Sequence, residues 1–257
     1  MSPTDDLAPL LKKLRLSGVL ATLQLRVDQA TQDELPYPEF LLRLLTDEVE
    51  RREAKMLDQR IRKASFEHQK TLEDFDFLFN PQVPKSKVID LATCGFVQRK
   101  RNVVLVGPSG VGKSHIAQAL GHRACRAGFK VLYVAATDML KHLRAARGDA
   151  SFDKRMLRFT GPDLLILDDV GLRKMSVEEA GDLYEVIRLR HARGSIIATS
   201  NRDLGEWPAI FHDPLLASAA LDRLFEEAAV LTIPGDSFRN PPAKKRASRQ
   251  TTKEKIS

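Results

Sequence analysis

One octapeptide constrains this chain more than any other feature, because it places three glycines, a lysine and a serine at fixed spacing. It consists of Gly107, Pro108, Ser109, Gly110, Val111, Gly112, Lys113 and Ser114, and it matches the pattern GxxxxGK[ST] in full. A loop that wraps a phosphate with its backbone N–H groups needs glycine where it turns. The octapeptide follows the apolar run Val103–Val106 and precedes a helix-compatible segment, as such a phosphate loop requires.

The last two residues of this phosphate loop have chemical roles of their own. Lys113 can reach the β- and γ-phosphates of a nucleotide, and the hydroxyl of Ser114 can ligate magnesium. The helix that follows points its positive end at the bound anion. The alternative is a glycine turn with an unrelated lysine, although a chance match in a chain of 257 residues is about a one-percent event.

Polar side chains also end two further apolar runs. Leu164–Leu167 is followed by Asp168 and Asp169, and Ile196–Thr199 is followed by a serine and Asn201. Ligands bind at the carboxyl ends of strands in open α/β sheets. Asp168 therefore fits a magnesium-associated carboxylate, and Asp169 fits a group that polarises the attacking water.

Two details of these strand ends stay as expectations. Adjacent residues of a strand point to opposite sides, so Asp168 and Asp169 should not share one role. Asn201 either holds the attacking water, contacts the γ-phosphate, or is an ordinary turn asparagine.

An arginine on a predicted helix completes the set of candidate residues. Arg223 lies just before the last apolar run, Val230–Ile233. An arginine supplied in trans stabilises transition-state charge near a γ-phosphate. The alternative is a surface ion pair with Glu226 or Glu227.

The period of the apolar pattern divides the chain into zones. Residues 1–70 have helical spacing, residues 71–100 form a connector, and short apolar strands alternate with helices over residues 101–240. The predicted strands are Val103–Val106, Val131–Val134, Leu164–Leu167, Ile196–Thr199 and Val230–Ile233. We therefore expect an α/β fold with a five-stranded parallel sheet flanked by helices, preceded by a small all-helical N-terminal domain.

Charge and cysteine content limit the classes of function. The net charge is +7, and the last 22 residues hold 7 Lys or Arg against 2 Asp or Glu. The basic tail, residues 241–257, is either a flexible arm for nucleic-acid phosphates or a solubilising terminus. Cys94 and Cys125 form no CxxC pair, which argues against a disulfide scaffold or a zinc finger and favours a reduced, cytoplasmic setting. No apolar run approaches the ~18 residues of a membrane helix.

Four segments together resemble the IstB-type helper ATPases of insertion sequences, which belong to the AAA+ superfamily and are similar to DnaC-type helicase loaders. The segments are GPSGVGKS, LLILDDVG, ATSNRD and the block Trp207–Arg239, which is the most specific of them. The resemblance covers about residues 5–240. It implies a P-loop protein that binds ATP and Mg²⁺, assembles as a homo-oligomer on double-stranded DNA, and presents that DNA to a partner transposase. It also implies that the N-terminal helices serve assembly and DNA contact.

The resemblance also assigns roles to individual residues. Lys113 and Ser114 become the Walker A residues, Asp168 the Walker B magnesium residue, Asn201 the sensor 1 residue, and Arg223 the arginine finger of a neighbouring subunit.

Two departures from the family pattern matter. Many AAA+ ATPases have glutamate where this chain has Asp169, whose carboxylate is about one methylene farther back, so intrinsic hydrolysis should be slow. Too few residues follow Ile233 for the usual helical lid, so no large C-terminal lid is expected. Arg239 would then replace a lid arginine.

Other functions remain open at this point. A replicative helicase loader would share the same nucleotide site, and a transposase reading frame directly upstream would argue against it. A small-molecule kinase would need an acceptor pocket and a closing lid, and it would have no use for an arginine in trans. A nucleotide-dependent binding module that scarcely hydrolyses ATP is consistent with Asp169.

Overall fold

The computed structural model describes residues 3–148, 150–211 and 213–240, with side chains from residue 6 onward. The chain divides between Gln59 and Arg60 into two compact units. Among the residues described, no helix combines the length and the apolar character needed to cross a membrane. The basic tail, and with it the expectation about a C-terminal lid, lies outside the described residues.

The first unit is helical, as its sequence pattern indicates. It contains α1 (Pro3–Lys13), α2 (Ser17–Gln32) and most of α3 (Tyr37–Ala64). Its small core consists of Val19, Leu23 and Leu44, with Leu11, Leu16, Val27 and Phe40 packed against it.

A buried carboxylate fastens α2 to α3 within this unit. Glu48 accepts hydrogen bonds from the backbone N–H groups of Gly18 and Val19 at 2.5 and 3.3 Å, and Arg52 donates to it at 2.6 Å. A Cβ at Gly18 would lie 2.7 Å from the Cα of Glu48, so glycine permits this close approach of the two helices.

The second unit contains the predicted sheet. Its strands are β1 (Val103–Val106), β2 (Val131–Ala135), β3 (Leu164–Asp168), β4 (Ser195–Ser200) and β5 (Ala229–Thr232). All pairs are parallel, and the strand order is β2-β3-β4-β1-β5. The five-stranded parallel sheet is thus confirmed, and each observed strand end lies within one residue of its predicted position.

Helices connect and cover these strands. They are α4 (Lys85–Leu91), α5 (Gly95–Gln98), α6 (Lys113–Arg126), α7 (Ala136–Gly148), α8 (Phe152–Thr160), α9 (Val177–Arg190) and α10 (Pro214–Phe225), with a 3₁₀ helix at Leu204–Ile210. Strands β1, β3 and β4 are buried along their whole length, as their near-continuous apolar sequences require.

Local sequence sets where the later helices begin. Ser176 and Glu179 form a capping box at the start of α9. The carboxylate of Asp213 accepts two backbone N–H groups of α10, and Pro214 occupies the first turn, where its missing N–H has no cost.

The structural division differs from the expected boundary at residue 70. Arg60 and the residues after it belong to the second unit, eleven residues earlier than the sequence pattern indicates. The ring of Phe66 stacks on His122 of α6 with 4.1 Å between centroids, and the backbone N–H of His68 donates to Gln118 at 3.1 Å. The expected connector, residues 71–100, also holds two short helices with buried side chains.

A buried arginine stabilises the end of the sheet at which β3 and β4 begin. The guanidinium of Arg190 donates to the carbonyl oxygens of Phe159, Pro162, Asp163 and Ser195 at 2.7–3.3 Å. Burial lowers the pKa of Arg190 to about 10, which leaves it charged at neutral pH. One side chain therefore satisfies carbonyl groups of α8, the segment before β3, and β4.

Replacing Arg190 by methionine should destabilise the second unit, because it leaves buried carbonyl groups without a donor. Each such group costs about 1–3 kcal/mol of unfolding free energy. Arg188→Met is the matched control, since Arg188 is exposed on the same helix and forms an ion pair with Glu185. That control should stay within about 0.5 kcal/mol of wild type. Trp207, the single tryptophan, reports denaturant unfolding of this unit by fluorescence. Equal stabilities for the two variants would contradict the role assigned to Arg190.

Candidate nucleotide-binding site

The phosphate loop connects β1 to α6 and has the backbone that its glycines predict. The φ angles are +151° at Gly107, +83° at Gly110 and +105° at Gly112, a region that residues with a Cβ rarely adopt. A Cβ at Gly107 would also overlap the carbonyl oxygen of Ile233. Glycine is therefore required here by both conformation and space.

Two distant segments form the walls of this loop. The ring of Phe75 lies against Gly112, where an added Cβ would be 2.6 Å from the ring. On the other side, Ser237 lies against Gly110, and the backbone N–H of Phe238 donates to the Gly110 carbonyl at 2.9 Å. The loop is thus enclosed by the segment before α4 and the segment after β5.

Lys113 is buried and fully engaged within the loop. Its ammonium donates to the carbonyl oxygens of Gly107 and Pro108 at 2.8 and 2.7 Å, and to the side-chain oxygen of Asn201 at 2.6 Å. Burial lowers the pKa of Lys113, while the nearby charges of Asp169 and Asp168 oppose that effect. An anion that enters the loop would meet this ammonium directly.

Asp168 is the last residue of β3, and its carboxylate is held by two hydroxyl groups. Thr199 donates to one oxygen at 2.5 Å, and Tyr133 donates to the other at 2.6 Å. Burial, together with its hydrogen bond to Asp168, raises the pKa of Tyr133, so this phenol stays protonated at neutral pH. All three side chains are buried.

Asp169 does not continue the strand, contrary to the expectation that both acids are strand residues. Its φ angle is +54°, and its backbone N–H donates to the Thr199 hydroxyl at 2.9 Å. The side-chain amide of Asn201 donates to its carboxylate at 3.3 Å. Burial raises the pKa of Asp169, with Asp168 contributing in the same direction. The two acids do have different partners, but a left-handed turn separates them rather than the alternation of a strand.

The donor set fits a magnesium ion that is held partly by phosphate. No cluster of three or more His, Cys, Asp or Glu side chains suited to a metal occurs within residues 6–148, 150–211 and 213–240. Mg²⁺ characteristically keeps several waters and binds through one or two protein oxygens plus substrate phosphates. Asp168 and Ser114 supply oxygens of that kind at the carboxyl ends of the strands, where the loop lies.

The structure does not place Arg223 beside the phosphate loop of its own chain. The side-chain amide of Asn102 donates to the carbonyl groups of Arg223 and Leu224 at 3.4 and 3.0 Å. Asn102 precedes β1, whereas Gly107 follows it, and five residues of strand span about 16 Å. Arg223 therefore lies toward the amino-terminal ends of the strands, whereas the loop lies at their carboxyl ends.

The alternative interpretation is an ion pair between Arg223 and Glu226 or Glu227, but both glutamates have other partners. Glu226 hydrogen-bonds to His191, and Glu227 forms an ion pair with Arg101. The guanidinium of Arg223 donates to the Ala219 carbonyl at 2.8 Å, and its Cζ lies 5.6 Å from the centroid of the Tyr184 ring.

Thr199 and Tyr133 are site residues that the sequence analysis did not single out. Thr199 stands two residues before Asn201, so alternation along β4 could have indicated that both side chains share a face. Tyr133 could not be found in this way, because its proximity to Asp168 depends on the pairing of β2 with β3.

Replacing Gly107 by alanine should abolish nucleotide binding, because the added Cβ overlaps the Ile233 carbonyl. Gly128→Ala is the matched control: Gly128 also has a positive φ, of +97°, but nothing lies within 4 Å of an added Cβ. The control should lose only about 1–2 kcal/mol of stability and keep its affinity. Titration with a fluorescent ATP analogue measures the binding. Wild-type affinity in the Gly107 variant would contradict the assignment of the loop.

Comparisons with known proteins agree with this geometry. The family described as IstB-like ATP binding protein matches residues 9–247. An insertion-sequence ATP-binding protein of Mycobacterium tuberculosis is 40% identical over 243 residues, which cover 94% of this chain and 96% of that protein. The IS21 ATP-binding protein of Pseudomonas aeruginosa is 36% identical over 234 residues, which cover 91% of this chain and 88% of that protein.

Solved structures show the fold. AMPPCP-bound DnaA from Aquifex aeolicus superposes with a TM-score of 0.54 at 22% identity, over 67% of this chain and 52% of that one, so the match spans about half of DnaA. DnaI gives a TM-score of 0.54 at 20% identity, over 64% of this chain and 91% of that one. The second unit has the P-loop AAA+ fold. Because the family model matches most of this chain, the chain belongs to the family of IstB-like ATP binding proteins.

Proposed function

We propose that this protein is an ATP-dependent DNA-binding AAA+ ATPase that assembles on target DNA and assists a partner transposase in transposition. The observation that carries the proposal is the convergence of three polar side chains from three strand ends. Lys113 follows β1, Asp169 follows β3 and Asn201 follows β4, and hydrogen bonds link all three through Asn201. This is the arrangement needed to bind and cleave a terminal phosphate.

The chain's own groups would divide the work of hydrolysis. Backbone N–H groups of residues 109–114 cradle the phosphates, and Lys113 exchanges its carbonyl partners for phosphate oxygens. Asp168 and Ser114 would hold Mg²⁺, which neutralises developing charge on the phosphates. Asp169 and Asn201 together orient the attacking water.

The position of Arg223 supports assembly as part of this function. The Arg223 backbone is separated from the loop of its own chain by the length of β1, about 16 Å. Its guanidinium is therefore better placed to serve a neighbouring copy. We therefore propose that Arg223 acts in trans, in a homo-oligomer that forms with ATP and DNA.

Double-stranded DNA and a transposase are the proposed partners. Insertion-sequence proteins of three bacteria are 34–40% identical to this chain, which favours a role in transposition over helicase loading. The likeness to DnaI concerns the fold alone. The net charge of +7 supports contact with phosphates rather than with base edges.

ATP hydrolysis by the wild-type protein should rise when duplex DNA and the partner transposase are added. DNA binding should require ATP, should be similar for unrelated sequences, and should weaken steeply with salt, because phosphate contacts release counterions. Phosphate release and the fluorescence anisotropy of labelled duplexes measure the two effects. Lys113→Ala is the control and should show neither. A rate that responds to neither DNA nor transposase would contradict the proposed function.

Arg223→Ala should bind ATP almost normally but lose hydrolysis by a large factor, about 10³–10⁵ for arginines of this kind. Mixing it with Lys113→Ala should restore part of the rate, because an interface can then combine an intact Lys113 with an intact Arg223. Arg188→Ala, an exposed arginine paired with Glu185, is the control and should hydrolyse ATP normally. If mixed assemblies form without any recovery, Arg223 does not act in trans.

A further inference from the structure

We propose that Thr199 is the residue that positions both acids of the site, and that Tyr133 completes the alignment of Asp168. This inference rests on the proposed ATPase function, because it concerns the same two carboxylates. It assigns a task to two buried hydroxyl groups that touch neither phosphate nor water in the mechanism above.

The Thr199 hydroxyl bonds to both acids at once. It donates its single proton to Asp168 at 2.5 Å and accepts the backbone N–H of Asp169 at 2.9 Å. The carbonyl of Thr199 accepts the next N–H, that of Val170, at 2.8 Å. Three consecutive residues are therefore tied to one fully buried residue of β4.

These bonds explain how Asp169 keeps a backbone conformation that aspartate seldom adopts. A residue with a Cβ stays in the left-handed region only where its surroundings hold it there. Here Thr199 accepts hydrogen bonds from two successive backbone N–H groups, those of Asp169 and Val170. The resulting turn directs the Asp169 carboxylate toward the amide of Asn201.

Tyr133 fixes what Thr199 leaves free on Asp168. Its phenol donates to the second carboxylate oxygen at 2.6 Å, from strand β2 on the other side of β3. With each oxygen bonded to a different buried hydroxyl, the Asp168 carboxylate cannot rotate without breaking a hydrogen bond. Its orientation is therefore set before any ligand arrives, which is how supporting side chains sharpen a metal site.

Thr199→Val tests the proposal, because valine keeps the shape of threonine but has a methyl group in place of the hydroxyl. We expect kcat for ATP to fall about 10–100-fold, as when the supporting groups of metal ligands are removed. We also expect more MgCl₂ to be needed for half-maximal binding of a fluorescent ATP analogue. Thr199→Ser, which retains the hydroxyl, should restore both quantities to within a few-fold of wild type. Valine and serine variants that behave alike would overturn the proposal.

Tyr133→Phe provides the second variant, in case the valine variant fails to fold. It should shift the MgCl₂ dependence in the same direction, while Trp207 fluorescence shows that the nucleotide-free variant is folded before denaturant is added. Tyr37→Phe is its control, since Tyr37 is 86% exposed and lies in the first unit. A folded Tyr133→Phe protein with wild-type kcat and MgCl₂ dependence would refute the role of Tyr133.

The binding measurement separates this inference from the proposed function. If the wild-type protein binds the analogue with Mg²⁺ but does not hydrolyse ATP, the proposed function fails. The MgCl₂ dependence of the Thr199 variants still decides the inference in that case.

Discussion

The parallel register of the three central strands is the constraint on which the site depends. Val106 of β1 pairs with Ser200 of β4, and Leu167 of β3 pairs with Ala198. Because parallel strands end at a common edge, the residues that follow them come together although the sequence separates them widely. The phosphate loop, the acids and Asn201 meet through this register, and one hydrogen-bonded chain links them.

The sequence predicts those parts of the fold that local patterns determine. Buried parallel strands must be apolar almost throughout, so Leu164–Leu167 could be recognised directly. The phosphate loop indicates that the site lies at the carboxyl ends of the strands.

Other features depend on contacts between distant segments and could not be predicted. The pairing of Tyr133 with Asp168 requires knowledge of strand order. The left-handed turn at Asp169 is imposed by Thr199, and aspartate itself gives little sign of it. The division of the chain after Gln59 likewise depends on distant contacts of the second unit, one of which is the stacking of Phe66 on His122.

The walls of the phosphate loop have a consequence for the order in which the protein matures on the ribosome. Phe75 precedes the loop in the chain, but the segment with Ser237 and Phe238 follows the last strand of the sheet. Among the strands of the described residues, β5 is the edge strand next to β1. A nascent chain whose β5 is still within the exit tunnel has a complete glycine loop with one side open. Competence to retain nucleotide would therefore arise only after the segment with Ser237 and Phe238 has left the tunnel.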